Sequence, residues 1–497
     1  MERARWRFPP AFPSRDPKES VNMKIHRNLK LNTEELTRIH DATLNILQEK
    51  GIRFQNEDAL KTFKSHGAKV DRDIVHLDGA MVESAIESAP QWFILEGRDP
   101  KKSVTMGRDE AGRDHLAIAP GYGSCHILSP TGEMRSPLRA DFDNFCKLVH
   151  TSNVVSMNGC LMVEPLDVDP SRAHLPMLQS TLTLSDKPFI GSSVSLEGAR
   201  QSYEMAEIVW GGDLEDRSVM ISVINSLSPL QYSREMADVI MEYARNGQAN
   251  MLAGMAMSGA TGPASLAGTL VVQNAEFLAG IVLAQLTRPE APVVYGGTAT
   301  ILDMRTGTPA VGAPEQSILQ RAQAQLARFY QLPCRGSGGI SDAFIPDYQA
   351  AMESSLSLST ILNGGCHFIF QSVGVLASYL AASYEKFVMD EEIIAHILHT
   401  VEPFDVGDEA LDLETIKSVG IGGEYLSHPT TFQRCRTAFH LPELRRRQSH
   451  DSWMGQGARP FHELAGERVA QRLGAYVAPE MDGSIRKELD RYVEKRM

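Results

Sequence analysis

The sequence has no pair of cysteines at CxxC spacing: Cys125, Cys146, Cys160, Cys334, Cys366 and Cys435 are scattered along 497 residues. That excludes a zinc knuckle and a disulfide framework as organising features, so reduced thiols are expected. There is no HExxH, and His126, His367 and His428 stand apart, which leaves no metal signature. No GxGxxG opens a helix after the first strand, which weakens a dinucleotide-binding fold. Lysine is missing from the whole interval between Lys187 and Lys386. A barrel aldolase or lyase working through a Schiff base needs such a lysine after a strand, so that class is disfavoured. A basic stripe is also lacking. The 49 basic and 62 acidic residues give a net charge of -13, which disfavours nonspecific nucleic-acid binding and suits a cytoplasmic protein.

Two stretches raise targeting or membrane questions. The opening MERARWRFPPAFPSRDPKES has no apolar core segment and is not a signal peptide. Residues 1–22 are expected to be a disordered leader, with Met23 as an alternative start. The uncharged run between Glu353 and Glu385 is long, but Asn363, Gly364, Gly365, His367 and Gln371 interrupt it, so a buried helix-turn-strand is expected and no membrane span.

What is present is alternation, in a chain whose 42% hydrophobic content allows a large core. The stretch NTEELTRIHDATLNILQEKG carries a capping residue, early acids, helically spaced apolar positions and a terminal glycine, and reads as a helix. Strand-like runs follow at Val154–Val163, Pro188–Val194, Ser218–Ile224, Asn250–Met257, Pro292–Thr298, Leu332–Cys334 and Cys366–Val375, with helical runs between them. Seven strands separated by helices predict an α/β fold, a (β/α)8 TIM barrel, with a doubly wound open sheet as the competitor. The eighth strand is sought at Ser418–Tyr425 or in the region before residue 154. The expected organisation is a leader over 1–22, a helical and β-hairpin cap over 23–140, the barrel over 141–436, and a C-terminal helical wrap over 437–497.

In a barrel, reactive groups sit on the loops that follow the strands. The stretch from Leu332 to Glu391 is the richest, with Arg335, Asp342, Phe344, Phe370, Gln371, Tyr384 and Glu385. Arg305 and Tyr122 come from other loops of the same rim. Asp342 is as consistent with a loop cap as with chemistry; Asp347 reads as a helix cap, and His367 as a hydrogen-bonded core histidine. Glu385 either occupies a helix's first turn or faces the barrel mouth. Arg305 and Arg335 are ion-pair partners of nearby acids or forks for a substrate carboxylate. Tyr122, Phe344, Phe370 and Tyr384, if they converge, make an aromatic box for a quaternary ammonium.

The stretches EELTRIHDATLNILQEKGIRF, APGYGS, SDKPFIGSS, SGATGPASLAGTLVVQNAEFLAGIVLAQL, DMRTGTPAVGAPE, GGISDAFIPDYQA, SYEKFVMDEEI and GGEYLSHPTTF together resemble the trimethylamine methyltransferase family. They are spread over almost everything from Leu31 to Arg436. The resemblance implies a (β/α)8 barrel with a negatively charged central pocket. It also implies a partner corrinoid protein whose Co(I) accepts the methyl group, with no corrinoid or metal held tightly on this chain. Founding members carry pyrrolysine and this sequence has only standard residues, so it resembles the branch that includes glycine betaine methyltransferase. The resemblance assigns the replaced position to the region Cys334–Gly339. Asp342 and Glu385 are then the candidate catalytic carboxylates. Arg335, Tyr122, Phe344, Phe370, Gln371, Tyr384 and Arg305 are the candidate binders of a quaternary amine. A homo-oligomer is expected. The alternatives are a methylated-amine binding protein without turnover, or another barrel enzyme such as a lyase.

The leader has too few apolar residues to pack. Deleting residues 1–22 should leave the melting temperature unchanged; a fall of several degrees would mark it as a docked element.

Overall fold

Met220–Asn225 (MISVIN) is buried along its length save for its last residue, as a strand covered on both faces must be. It is one of a run of parallel strands in a computed structural model that describes residues 31–212, 214–444 and 447–497. The 1–22 leader lies outside those residues. Phe189–Ile190 pairs with Met220–Asn225, which pairs with Ala249–Ala253, which pairs with Val293–Tyr295. Tyr295 bridges in parallel to Cys334. Arg335–Ser337 pairs with Phe368–Phe370, and Phe368–Phe370 with Ala117–Ile118. The Ser156 and Met157 N–H groups then donate to the Ile118 carbonyl (2.8 and 3.1 Å), and Asn158 bridges in parallel to Phe189. The succession returns to where it began.

Ala117–Ile118 therefore takes the place sought for an eighth strand, from the region before residue 154. Residues 418–425 are instead the end of the helix Leu413–Val419 and a turn. The segment 23–140 thus supplies a central strand as well as peripheral elements. Its remaining strands include the hairpin Trp92–Leu95 with Val104–Arg108. Phe93, Leu95 and Met106 of that hairpin share one buried cluster with Ala117, Met157, Ile190, Ile221, Val223, Met251, Val294, Phe368 and Phe370. Because the Glu96 N–H donates to Ser218 O (2.8 Å), just ahead of Met220, the hairpin plugs the end at which the strands start.

The helices form where their caps and spacing place them. Asn32 and Glu35 make a reciprocal capping box on Thr33–Glu49. Asp347 caps Tyr348–Gly364 by accepting from Ala350 N (3.1 Å). Among the described residues, one helix is apolar and long enough to span a membrane, Leu266–Thr287, and most of it is buried. Thr33–Glu49, Gly79–Ser88, Arg234–Arg245 and Pro314–Phe329 pack around it. Its one acid, Glu276, is fully buried and pins the loop after Met220–Asn225, accepting from Ser226 Oγ (2.6 Å), Ser228 Oγ (2.8 Å) and Leu230 N (2.8 Å). The uncharged run from Glu353 to Glu385 is the helix Tyr348–Gly364, the strand Phe368–Phe370 and the hairpin Val375–Leu376 with Ala381–Ala382. All six cysteines are free thiols.

Lys386 ties the loops at the other end of the strands. Its buried ammonium donates to Gly339 O (2.7 Å), Ser354 Oγ (2.9 Å) and Asp390 Oδ2 (2.6 Å), and the same Asp390 oxygen accepts from Gly374 N (2.8 Å). The loops after Arg335–Ser337 and Phe368–Phe370 are thereby held together. They touch so closely that a Cβ on Gly339, which has φ +70°, would lie 1.8 Å from Ser372 O.

Replacing Lys386 with Met leaves Asp390 a buried charge without its partner. Denaturant unfolding should show a loss of about 3–5 kcal/mol, and the double variant Lys386→Met/Asp390→Leu should recover much of it. A single variant as stable as the parent would show that the knot holds nothing.

Candidate functional site

A Cβ on Gly336 would meet Ile361, Cys366 and Gln320, on the helix side. Side chains alternate along a strand, so Arg335 and Ser337 face the interior. The Arg335 guanidinium is 3% exposed. Its Nη2 donates to Ser337 Oγ (2.7 Å) and to Gln371 Oε1 (3.0 Å), and Ser337 Oγ also donates to Gln371 Oε1 (2.8 Å). Its carbon lies 5.1 Å from the centre of the Phe370 ring. Phe370 in turn meets Tyr122 at 5.3 Å, tilted by 54°.

Two donors of this cation remain unused: Nε and Nη1 are buried without a hydrogen-bond partner. Among the described residues no carboxylate forms an ion pair with Arg335, and burial pulls its pKa down to about 10. A desolvated guanidinium with idle N–H groups is costly unless an anion completes it. The fork geometry suits a carboxylate.

Tyr379 closes over the same place. It stands in the turn of the hairpin Val375–Leu376 with Ala381–Ala382, where Ala377, Ser378 and Tyr379 all have positive φ. Its hydroxyl is 2.8 Å from Thr298 Oγ1 and also meets Ser337, and burial raises its pKa. Gln371, at φ 58°, is bent out of its strand so that its amide oxygen reaches both Arg335 and Ser337. The result is a dry cation, two aromatic faces and a ring of hydroxyls. It can hold a small zwitterion by its anionic end.

Of the residues singled out from sequence, Arg335, Phe370, Gln371 and Tyr122 come together here. The others lie in different settings. Asp342 clamps three loops, accepting from Val311 N (3.1 Å), Gly312 N (2.9 Å) and Ser378 Oγ (2.5 Å). Glu385 accepts from Ser383 Oγ (3.1 Å) and lies beside Gly466 of the C-terminal helix Phe461–Gly474. Tyr384 stacks on Phe145 (4.5 Å, 3°) and donates to Asp141 Oδ1 (2.7 Å). Phe344 is exposed. Arg305 is exposed and paired with Asp303 (Nη2 to Oδ2, 2.8 Å). His367 is hydrogen-bonded at both ring nitrogens, to Cys334 N (3.1 Å) and Asp114 Oδ1 (3.1 Å). The aromatic box is therefore smaller than expected, and the central charge is a guanidinium where the resemblance implied negative charge. Sequence reasoning missed Ser337, Thr298 and Tyr379. Only the alternation from Arg335 to Ser337 signalled any of them.

A family model described as trimethylamine methyltransferase (MTTB) matches residues 9–497, taking in part of the leader that the sequence resemblance left out. Glycine betaine methyltransferase from Desulfitobacterium hafniense (strain Y51) is 39% identical over 468 residues, 94% of this chain and 96% of the relative. Proline betaine:corrinoid methyltransferase from Eubacterium limosum is 33% identical, over 93% of this chain and 96% of the relative. Among solved structures, the monomethylamine methyltransferase (MtmB) of Methanosarcina barkeri superposes with a TM-score of 0.54 at 12% identity, covering 91% of this chain and 89% of that one. At that identity the likeness speaks for the fold alone.

An Asp342→Asn variant turns one of its two acceptor oxygens into a donor facing either the Val311 or the Gly312 N–H group. A cost of about 1–3 kcal/mol is expected, with faster amide exchange at Val311 and Gly312. Unchanged exchange at both amides would show that the clamp does not order those loops.

Proposed function

The chain belongs to the trimethylamine methyltransferase family, and from that premise we propose that it transfers a methyl group from a betaine-type quaternary amine to the Co(I) of a partner corrinoid protein. The observation that carries the substrate class is Arg335: a buried cation with two idle donors and, among the described residues, no ion-pairing carboxylate. A betaine supplies that carboxylate; trimethylamine does not. The names of two relatives, a glycine betaine methyltransferase and a proline betaine:corrinoid methyltransferase, point the same way. We also read the returning succession of parallel pairings as a (β/α)8 barrel, and its C-terminal mouth as the site.

In this reading Arg335 Nε and Nη1 take the substrate carboxylate, while Gln371 and Ser337 hold the guanidinium still. The faces of Tyr122 and Phe370 then lie beside the trimethylammonium end, where cation–π attraction in a dry site is worth about 2 kcal/mol. The acceptor supplies a strong Co(I) nucleophile. A quaternary ammonium leaves as a neutral tertiary amine, so the chain need not deliver a proton. Its task is to aim one N-methyl outward and keep water away. That role asks for no acid beside the reacting carbon, and Asp342, the carboxylate that acts on Tyr379, is taken up by Val311 N, Gly312 N and Ser378 Oγ. The corrinoid resides on the partner, and we place the pair in the cytoplasm.

Mixing the protein with a reduced corrinoid protein and a panel of methylated amines should convert Co(I) to methyl-Co(III) with betaines and not with trimethylamine. Arg335→Met should weaken betaine binding by about ten- to hundredfold, the loss of a charged hydrogen-bond partner. Binding of tetramethylammonium, which has no carboxylate, should change less than about twofold. Equal losses for both ligands would assign Arg335 to the fold and remove the betaine reading.

A further inference from the structure

We propose that Glu392, His396 and His440 form a binding site for a divalent transition-metal ion of the zinc class, outside the Arg335 site. One ligand atom from each of the three lies within 4.8 Å of the others. Glu392 and His396 are one turn apart on the helix Tyr384–Val401, so they project from one face. His440 arrives from the far side of the 397–439 segment, its ring edge-on to that of His396 at 4.7 Å.

The hydrogen bonding leaves one ligand atom unsatisfied on Glu392 and one on His440. Glu392 is 5% exposed; its Oε2 accepts from Glu443 N (3.2 Å) and Leu444 N (3.3 Å), while its Oε1 is buried without a hydrogen bond, 3.8 Å from His396 Nδ1. His440 Nε2 is likewise buried with no partner. His396 Nδ1 is 3.1 Å from the Glu392 carbonyl, which orients the ring, and 3.8 Å from Glu392 Oε1. A carboxylate oriented through one oxygen and an imidazole oriented through one nitrogen are the usual outer partners of a metal ligand set. Two histidines and one carboxylate suit zinc, at about 2.0–2.2 Å per bond, with a fourth position for water. Glu392 and His440 border a cleft of about 190 Å³, which Glu391, Glu443, Arg468 and Arg472 also line.

The ion would fasten the two ends of the 397–439 segment. That segment rests on little of its own chain: Phe404, Ile421, Leu426, Phe432 and Phe439 are all largely exposed. A metal that closes a loop of this length removes conformational freedom from it, so zinc orders the segment as well as the cluster.

The full chain, treated with chelator and then titrated with ZnCl2 by calorimetry, should bind one ion per chain. His440→Ala and Glu392→Gln should each weaken that binding at least tenfold, and His450→Ala, at an exposed histidine, should not. Glu392→Gln keeps an acceptor for Glu443 N and Leu444 N, so it decides the matter if circular dichroism shows His440→Ala misfolded. Zinc should also slow proteolysis within 397–439 in the parent and not in Glu392→Gln. No stoichiometric zinc, or equal affinity in the parent and Glu392→Gln, overturns the site and leaves an adventitious ion only.

Discussion

The buried ammonium of Lys386 is the constraint on which the mouth of the molecule depends. Loops at strand ends have no ladder to fix them, and here two successive ones must be held so that Arg335 and Gln371 meet. Lys386 does this from behind, through Gly339 O, Ser354 and Asp390, with Asp390 reaching on to Gly374 N. The network is saturated, with each charge matched inside it, which is the condition under which a buried ion pair rigidifies rather than merely costs. Asp342 and Glu276 repeat the device at other loops, each as a carboxylate collecting backbone N–H groups and hydroxyls. The mouth is thus assembled from polar knots on the outside of an apolar interior.

Against these satisfied knots Arg335 stands out. The protein spends several carboxylates on loops, and among the described residues none pairs with Arg335. A fold that wanted Arg335 only for stability would have paired it or replaced it with an apolar residue of similar volume. The contrast between closed and open networks in one molecule separates architecture from recognition better than either residue type or burial alone.

Much of this was legible in the sequence. Helical runs between the strands are where the pattern puts them, both Leu196–Trp210, capped by the Ser195 side chain, and His174–Leu184, which has no side-chain cap. The strands are shorter than their apolar runs, because hydrophobicity extends into buried loops that no ladder pairs, as in Cys366–Val375 against Phe368–Phe370. Ala117–Ile118 was hard to recognise because a two-residue ladder carries no periodicity. For the site, strand position brings Arg335, Phe370 and Gln371 together, while the charged candidates Asp342, Glu385 and Arg305 are engaged by loops or helices around them, which residue type alone does not reveal. Tyr379 sits in a stretch of small residues whose left-handed turn cannot be read from composition. The Glu392, His396 and His440 group escaped the search for metal motifs because its third member is far away in sequence.

The contact between Gly339 and Ser372 bears on how such a site diverges over evolution. Backbone meets backbone there, and no side chain of any size can be admitted at Gly339 without parting the two loops. Drift toward new substrates is thereby channelled. The frame around the mouth is closed to gradual substitution, while Ser337, Thr298 and Tyr379, which meet one another through hydroxyl groups, are open to it. Diversity among descendants of this scaffold would accumulate in that ring of hydroxyls, with the loop junction behind it unchanged.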